Sequence, residues 1–143
     1  MGVFRDSQQL YETVGAVLYR AALDPVIGTS VVRTAQIIQF RYTDPAALIT
    51  LNAKDRPTQP HVYFDVMFGS CSLQPDVTMT LSADLAHEFW QGRVNLFSAL
   101  ARGQIIATGL VGPILQLVPI VTPMYQWYIA VLREHGLSNL ILK

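Results

Sequence analysis

The chain has 143 residues, of which 51% are hydrophobic and only 14% charged, against about 25% charged in a typical globular domain. Ten basic and ten acidic residues cancel. This excludes a domain-wide cationic surface for nucleic acid and leaves membrane contact transient at most. The length suits one domain over residues 1–143, and Cys71, the only cysteine, excludes an intramolecular disulfide and a Cys-rich zinc site.

The N-terminal residues Met1 to Asp6 lack the basic and apolar segments of a secretory signal, so the expected location is the cytoplasm. Asp6 or Ser7 caps a predicted helix to about Leu23. Its apolar positions Leu10, Val14, Val17, Leu18 and Ala21 share one face. Asp24-Pro25 stops it, and a weak helical turn follows over about 25–32.

The period then changes to two. Gln36 to Tyr42 alternates, with Ile38, Phe40 and Tyr42 on one side. Thr43 to Ala46 is a turn and Ala47 to Leu51 a second strand, so the pair reads as a hairpin. His61 to Phe68 and Asp76 to Ser82 alternate in the same way, separated by loops at 54–60 and 69–75. Connections this short suggest that the four strands form an antiparallel meander. Ser82 or Asp84 opens a helix to about Gln91, and Asn95 caps a second over Leu96 to Arg102, with Gly103 just past its end.

The stretch from Gln104 to Leu132 contains no Asp, Glu, Lys, Arg or His. A membrane helix needs about 20 apolar residues in one rod, but Gly109, Gly112, Pro113, Pro119 and Pro123 interrupt this run. It reads as a strand over Gln104 to Val111 followed by a proline-broken helix, both facing an apolar space. Residues 136–143 form an apolar tail, which suggests a homodimer through the last helix and tail. The whole is an α+β domain: helices on one face of a five-stranded, mostly antiparallel sheet. Its core spans about residues 5–135.

The run Pro75-Asp76-Val77-Thr78-Met79-Thr80-Leu81-Ser82 continues through Gln91-Gly92 to Ala99-Leu100-Ala101-Arg102-Gly103-Gln104-Ile105-Ile106-Ala107-Thr108-Gly109. This ordered set resembles the sterol carrier protein 2 family, and the order of predicted elements extends the resemblance over about residues 5–135. The resemblance implies a five-stranded sheet covered by helices and enclosing an apolar tunnel. It implies a sterol, fatty acyl chain, phospholipid or isoprenoid quinone as ligand, and no catalytic residues or cofactor. It makes Gly92, Gly103 and Gly109 turn or close-approach glycines. The strand here lacks the lysines common in the family, and the last helix carries two prolines that the family usually lacks.

A lipid site needs apolar area and little else, at roughly 25 cal/mol per Å² buried. The helical candidates are Leu85, Phe89, Phe97, Leu100, Leu117, Ile120, Met124 and Trp127; the sheet candidates are Phe64, Phe68, Met79 and Ile106. Stripes of this kind also build plain cores. An enzyme reading has less to work with. His87-Glu88 lacks the second histidine of a helical zinc motif, and there is no nucleophile elbow or phosphate-cradling loop. No metal site is expected. His61, His87 and His135 read as surface or capping residues, and Asp65 as a solvated charge or a headgroup anchor. The expected function is to bind and shield an apolar ligand as a lipid carrier or lipid-presenting protein. The alternative is an accessory module whose apolar groove docks a partner enzyme or a second copy.

Overall fold

The computed structural model describes residues 2–143. Local chemistry places most helix starts. Asp6 accepts from the Gln9 amide at 2.9 Å, opening α1 (Ser7–Leu10). One wider π-helical turn (Tyr11–Gly15) carries the chain into α2 (Ala16–Leu23). Asp24 accepts from Val26 and Ile27, and with Pro25 in the first turn it opens α3 (Pro25–Val32). A full two-turn helix thus stands where glycine and threonine suggested only a weak turn.

Five strands follow: β1 (Ile37–Thr43), β2 (Ala47–Asn52), β3 (Asp65–Phe68), β4 (Val77–Ser82) and β5 (Ile106–Gly109). Ser82 caps α4 (Ala83–Phe89) and Asn95 caps α5 (Leu96–Ala101). Beyond β5 the chain breaks into α6 (Gly112–Leu115) and α7 (Pro123–Glu134), with Pro113 and Pro123 in their first turns and Pro119 between them. No helix among the described residues is long and apolar enough to cross a membrane.

The sheet order is β3-β2-β1-β4-β5. β1 and β2 form the expected hairpin, with Tyr42 opposite Ala47 and Ile37 opposite Asn52. The meander expectation fails at the next step. β4 lies beside β1 and parallel to it, with Phe40 opposite Met79. The chain therefore crosses from one edge of the sheet past two strands. Three strand spacings are about 14 Å, and the connection over residues 69–76 reaches up to about 26 Å when extended. No crossover helix is needed. Three of the four pairings remain antiparallel, so the sheet is mixed but mostly antiparallel.

The two sheet faces differ. Ile38, Tyr42, Ile49, Leu51, Val77, Met79 and Leu81 are buried on the face that the helices cover. The other face carries Gln39, Arg41, Thr78 and Thr80. Gln39 and Thr50 are buried there and hydrogen-bonded to each other at 3.2 Å. The Cys71 thiol rests 3.8 Å from the Met67 sulfur on this side, which carries the crossing loop over the polar face.

The C-terminal tail does not stand free. The Leu140 carbonyl accepts from His87, and the Leu142 amide donates to Gln91 at 2.7 Å. Leu137 and Ile141 pack against the core. Leu137 and Ile141 are thus partly covered by their own chain, while Leu142 remains 38% exposed.

Candidate functional site

The helices do not fill the space above the sheet. A cavity of about 100 Å³ remains. Its floor is Ile38, Phe40 and Tyr42 of β1, with Leu51 of β2 and Met79 and Leu81 of β4. One flank comes from Leu18 and Val31, the other from Ala86, Phe89, Trp90, Leu96 and Ile105. Ile114, Leu117, Val118, Val121 and Met124 close it, all from the proline-broken segment around α6 and the start of α7. No charged side chain lines it. The charge-free run of the sequence therefore supplies one side of an apolar space through Ile114 to Met124, and Ile105, just before β5, adds one wall residue.

Four of the twelve sequence candidates meet at this cavity: Met79, Phe89, Leu117 and Met124. Ile120 lines a separate, more polar pocket with Arg33, Thr34 and Gln116, which shares only Leu117 with the cavity. Phe64 is fully buried in the core, away from the cavity lining. Leu85, Leu100 and Trp127 are partly buried against the core, and Trp127 lies under the Arg20 guanidinium at 4.3 Å. Phe68 is 46% exposed and stacks on Tyr11. Phe97 and Ile106 face outward, 57% and 60% exposed.

The placement of Ile106 has a simple cause. β5 pairs with Ile106 opposite Thr80 and Ala107 opposite Met79. Ile106 therefore shares the polar face, while Ile105, one residue earlier, is buried and lines the cavity. A one-residue change of register exchanges the faces of a strand, and the run Ile105-Ile106 offers no sequence clue to choose between them. The floor residues Ile38, Phe40 and Tyr42 were not among the candidates although their alternation is plain. Nothing local marks β1 as the central strand; its parallel pairing with β4 does.

The polar residues singled out in the sequence have structural partners. Asp65 is neither a solvated charge nor a headgroup anchor. It is buried and accepts from the Thr58 and Gln59 amides and the Thr58 hydroxyl at 2.8–3.0 Å, tying the 54–60 loop to β3. Burial pushes its pKa up, but the hydrogen bonds from Gln59 and Thr58 outweigh burial and hold the carboxyl below its usual range. Asp76, in the motif that carried the resemblance, accepts from the Ile37 amide at 2.9 Å and pairs with Lys54 at 3.3 Å. It clamps the starts of β1 and β4 and lies outside the cavity lining.

His87 is buried rather than superficial. Its Nε2 lies 2.8 Å from the Leu140 carbonyl, which can only accept, so Nε2 carries the proton. Its Nδ1 then accepts from the Tyr128 hydroxyl at 2.7 Å. Burial lowers the histidine pKa, outweighing the Leu140 carbonyl and the charges of Asp84 and Glu88, which push the other way. His87 is outside the cavity lining, Glu88 is exposed, and Cys71 lies over the opposite face of the sheet. The three do not form a catalytic group. Among the described residues no three His, Cys, Asp or Glu side chains gather as metal ligands.

No protein-family model matches the chain, and no curated protein matches it. Solved structures do. The apo form of sterol carrier protein 2 from Yarrowia lipolytica superposes with a TM-score of 0.57 at 19% identity, covering 79% of this chain and 87% of that one. A structure described as UbiJ-SCP2, a ubiquinone synthesis protein, gives 0.57 at 16% identity over 78% and 89%. A sterol carrier protein domain of Helicoverpa armigera gives 0.53 at 21% identity over 68% and 74%. The chain has the fold of sterol carrier protein 2 domains.

Proposed function

We propose that this protein binds an apolar ligand in the cavity between the sheet and the α6–α7 segment, as a non-catalytic lipid carrier or lipid-presenting protein. The observation that carries this reading is a partly open pocket with hydrocarbon, aromatic and thioether walls and no charged side chain. Such walls hold a ligand by removing its apolar surface from water. The fold likeness points the same way, since its neighbours include a sterol carrier protein and a ubiquinone synthesis protein.

The cavity is smaller than the engineered cavities of roughly 150 Å³ that take up benzene. A long chain enters only if a wall moves. The α6–α7 segment is the natural gate. Pro119 and Pro123 deny it a continuous helix, so it shifts without breaking a long hydrogen-bond ladder. Its displacement widens the partly open pocket for a long ligand. The test is native mass spectrometry and organic extraction of protein purified from its host. Bound lipid at near one equivalent is expected. Protein that emerges empty and takes up none of a sterol, a long-chain fatty acid, a phospholipid or a prenylated quinone would end this reading.

A further inference from the structure

Tyr42 is the exception on the cavity floor. It is 4% exposed and lines the apolar space beside Phe40 and Leu81. Its hydroxyl has no hydrogen-bond partner among the described residues, whereas the buried Tyr128 hydroxyl is bonded to His87 and the Tyr11 hydroxyl to the Leu48 amide. The hydroxyl is therefore an unpaired polar group on an otherwise apolar lining, where phenylalanine would give the same ring without it. Phe40, its neighbour two residues back on the same face, shows that this wall accepts a plain ring. The other lining side chains are hydrocarbon, thioether or indole, so Tyr42 is the only hydroxyl-bearing residue of the lining.

We infer that the Tyr42 hydroxyl is the polar anchor of the cavity and hydrogen-bonds one neutral oxygen of the ligand, such as an alcohol or a ketone or quinone carbonyl. This rests on the reading of the cavity as a ligand site. The ligand oxygen is neutral because no Lys, Arg or His lines the cavity to compensate a buried carboxylate or phosphate. The phenol is itself held neutral. Burial pushes its pKa far up, and the nearby phenols of Tyr128 and Tyr11 act in the same direction. It therefore offers one donor and one acceptor at any physiological pH, suited to a hydroxyl or a carbonyl alike. The rest of the ligand contributes area alone, so the anchor sets which end of an elongated molecule sits against β1.

The experiment is displacement of Nile red from wild type and Tyr42→Phe by decan-1-ol and by undecane, two chains of equal heavy-atom count. Loss of one hydrogen bond predicts that Tyr42→Phe weakens decan-1-ol about fivefold, while undecane changes by less than about twofold. The variant removes an unpaired hydroxyl and retains the ring, so thermal melting should match or exceed wild type. If undecane displaces the dye and Tyr42→Phe leaves the alcohol-to-alkane ratio unchanged, the anchor is overturned and the cavity reading stands. If neither chain displaces dye from wild type, the ligand-site reading fails and takes the anchor with it.

Discussion

The Leu140 carbonyl accepts a hydrogen bond from Nε2 of His87 at 2.8 Å, joining the C-terminal tail to the middle of α4. The same imidazole accepts from Tyr128 of α7 through Nδ1. Gln91, one turn on, holds Leu142. Three segments distant in sequence are thus tied at one buried ring, and the ring has to be neutral to accept from Tyr128.

This geometry makes stability depend on pH. Burial holds the folded-state pKa of His87 below its ordinary value of about 6.5. The unfolded chain therefore binds the proton more readily than the folded one. The stabilisation from neutral His87 is complete above about pH 6.5 and declines as pH falls through 6.5 toward the lower folded pKa. Thermal melting between pH 7.5 and 5 should show this decline. His87→Gln, which removes the titrating group, should lower the melting temperature at pH 7.5 and flatten the His87 part of the slope. An unchanged pH profile in the variant would show that His87 does not set it.

Gly109 and Gly103 separate two roles that glycine plays in the motif. Both have positive φ, +92° and +73°. A Cβ at Gly109 would stand 2.1 Å from the Asp76 carbonyl oxygen, which is backbone of the paired strand and cannot move aside. A Cβ at Gly103 meets nothing within 4 Å. Gly103→Ala should cost about 1 kcal/mol from the left-handed backbone alone. Gly109→Ala should cost about 2 kcal/mol or more, since it adds a backbone clash to the same strain. Urea denaturation of the two variants gives the comparison, and equal costs would contradict the close-approach role of Gly109.

The cavity can be filled from its lid. Val118 lines it, and Val118→Phe places a ring in the void. The ligand-free protein should gain about 1 kcal/mol of stability from the filled space. Uptake of a long-chain ligand should fall at least tenfold, measured by displacement of a bound fluorescent dye. Phe97→Ser and Ile106→Thr, at exposed positions outside the cavity, should leave uptake within about twofold of wild type. A strong loss of uptake in either of these would move the ligand site to the outer surface near α5 and β5.

Much of this fold was legible along the chain because its signals are local. Caps at Asp6, Ser82 and Asn95 act over three residues, and strand alternation at Ile38, Phe40 and Tyr42 shows within seven. The scarcity of charge between Gln104 and Leu132 announced an apolar space, and the prolines placed the break in its lid. The site was legible only in part. Met79, Phe89, Leu117 and Met124 reach the cavity, while Phe97 and Ile106 point to solvent.

The sequence by itself determined the order of elements and the α+β class, since periodicity, capping and composition are properties of neighbouring residues. Tertiary structure alone decided that β1 pairs in parallel with β4 and becomes the cavity floor. It also decided that Ile105 faces inward and Ile106 outward, and that the tail is hydrogen-bonded to His87 of α4 and to Gln91 just beyond it. Each of these depends on which distant segments pair and in what register. That choice rests on the summed burial of the whole domain, and a shift of one residue reverses which side chains face the cavity.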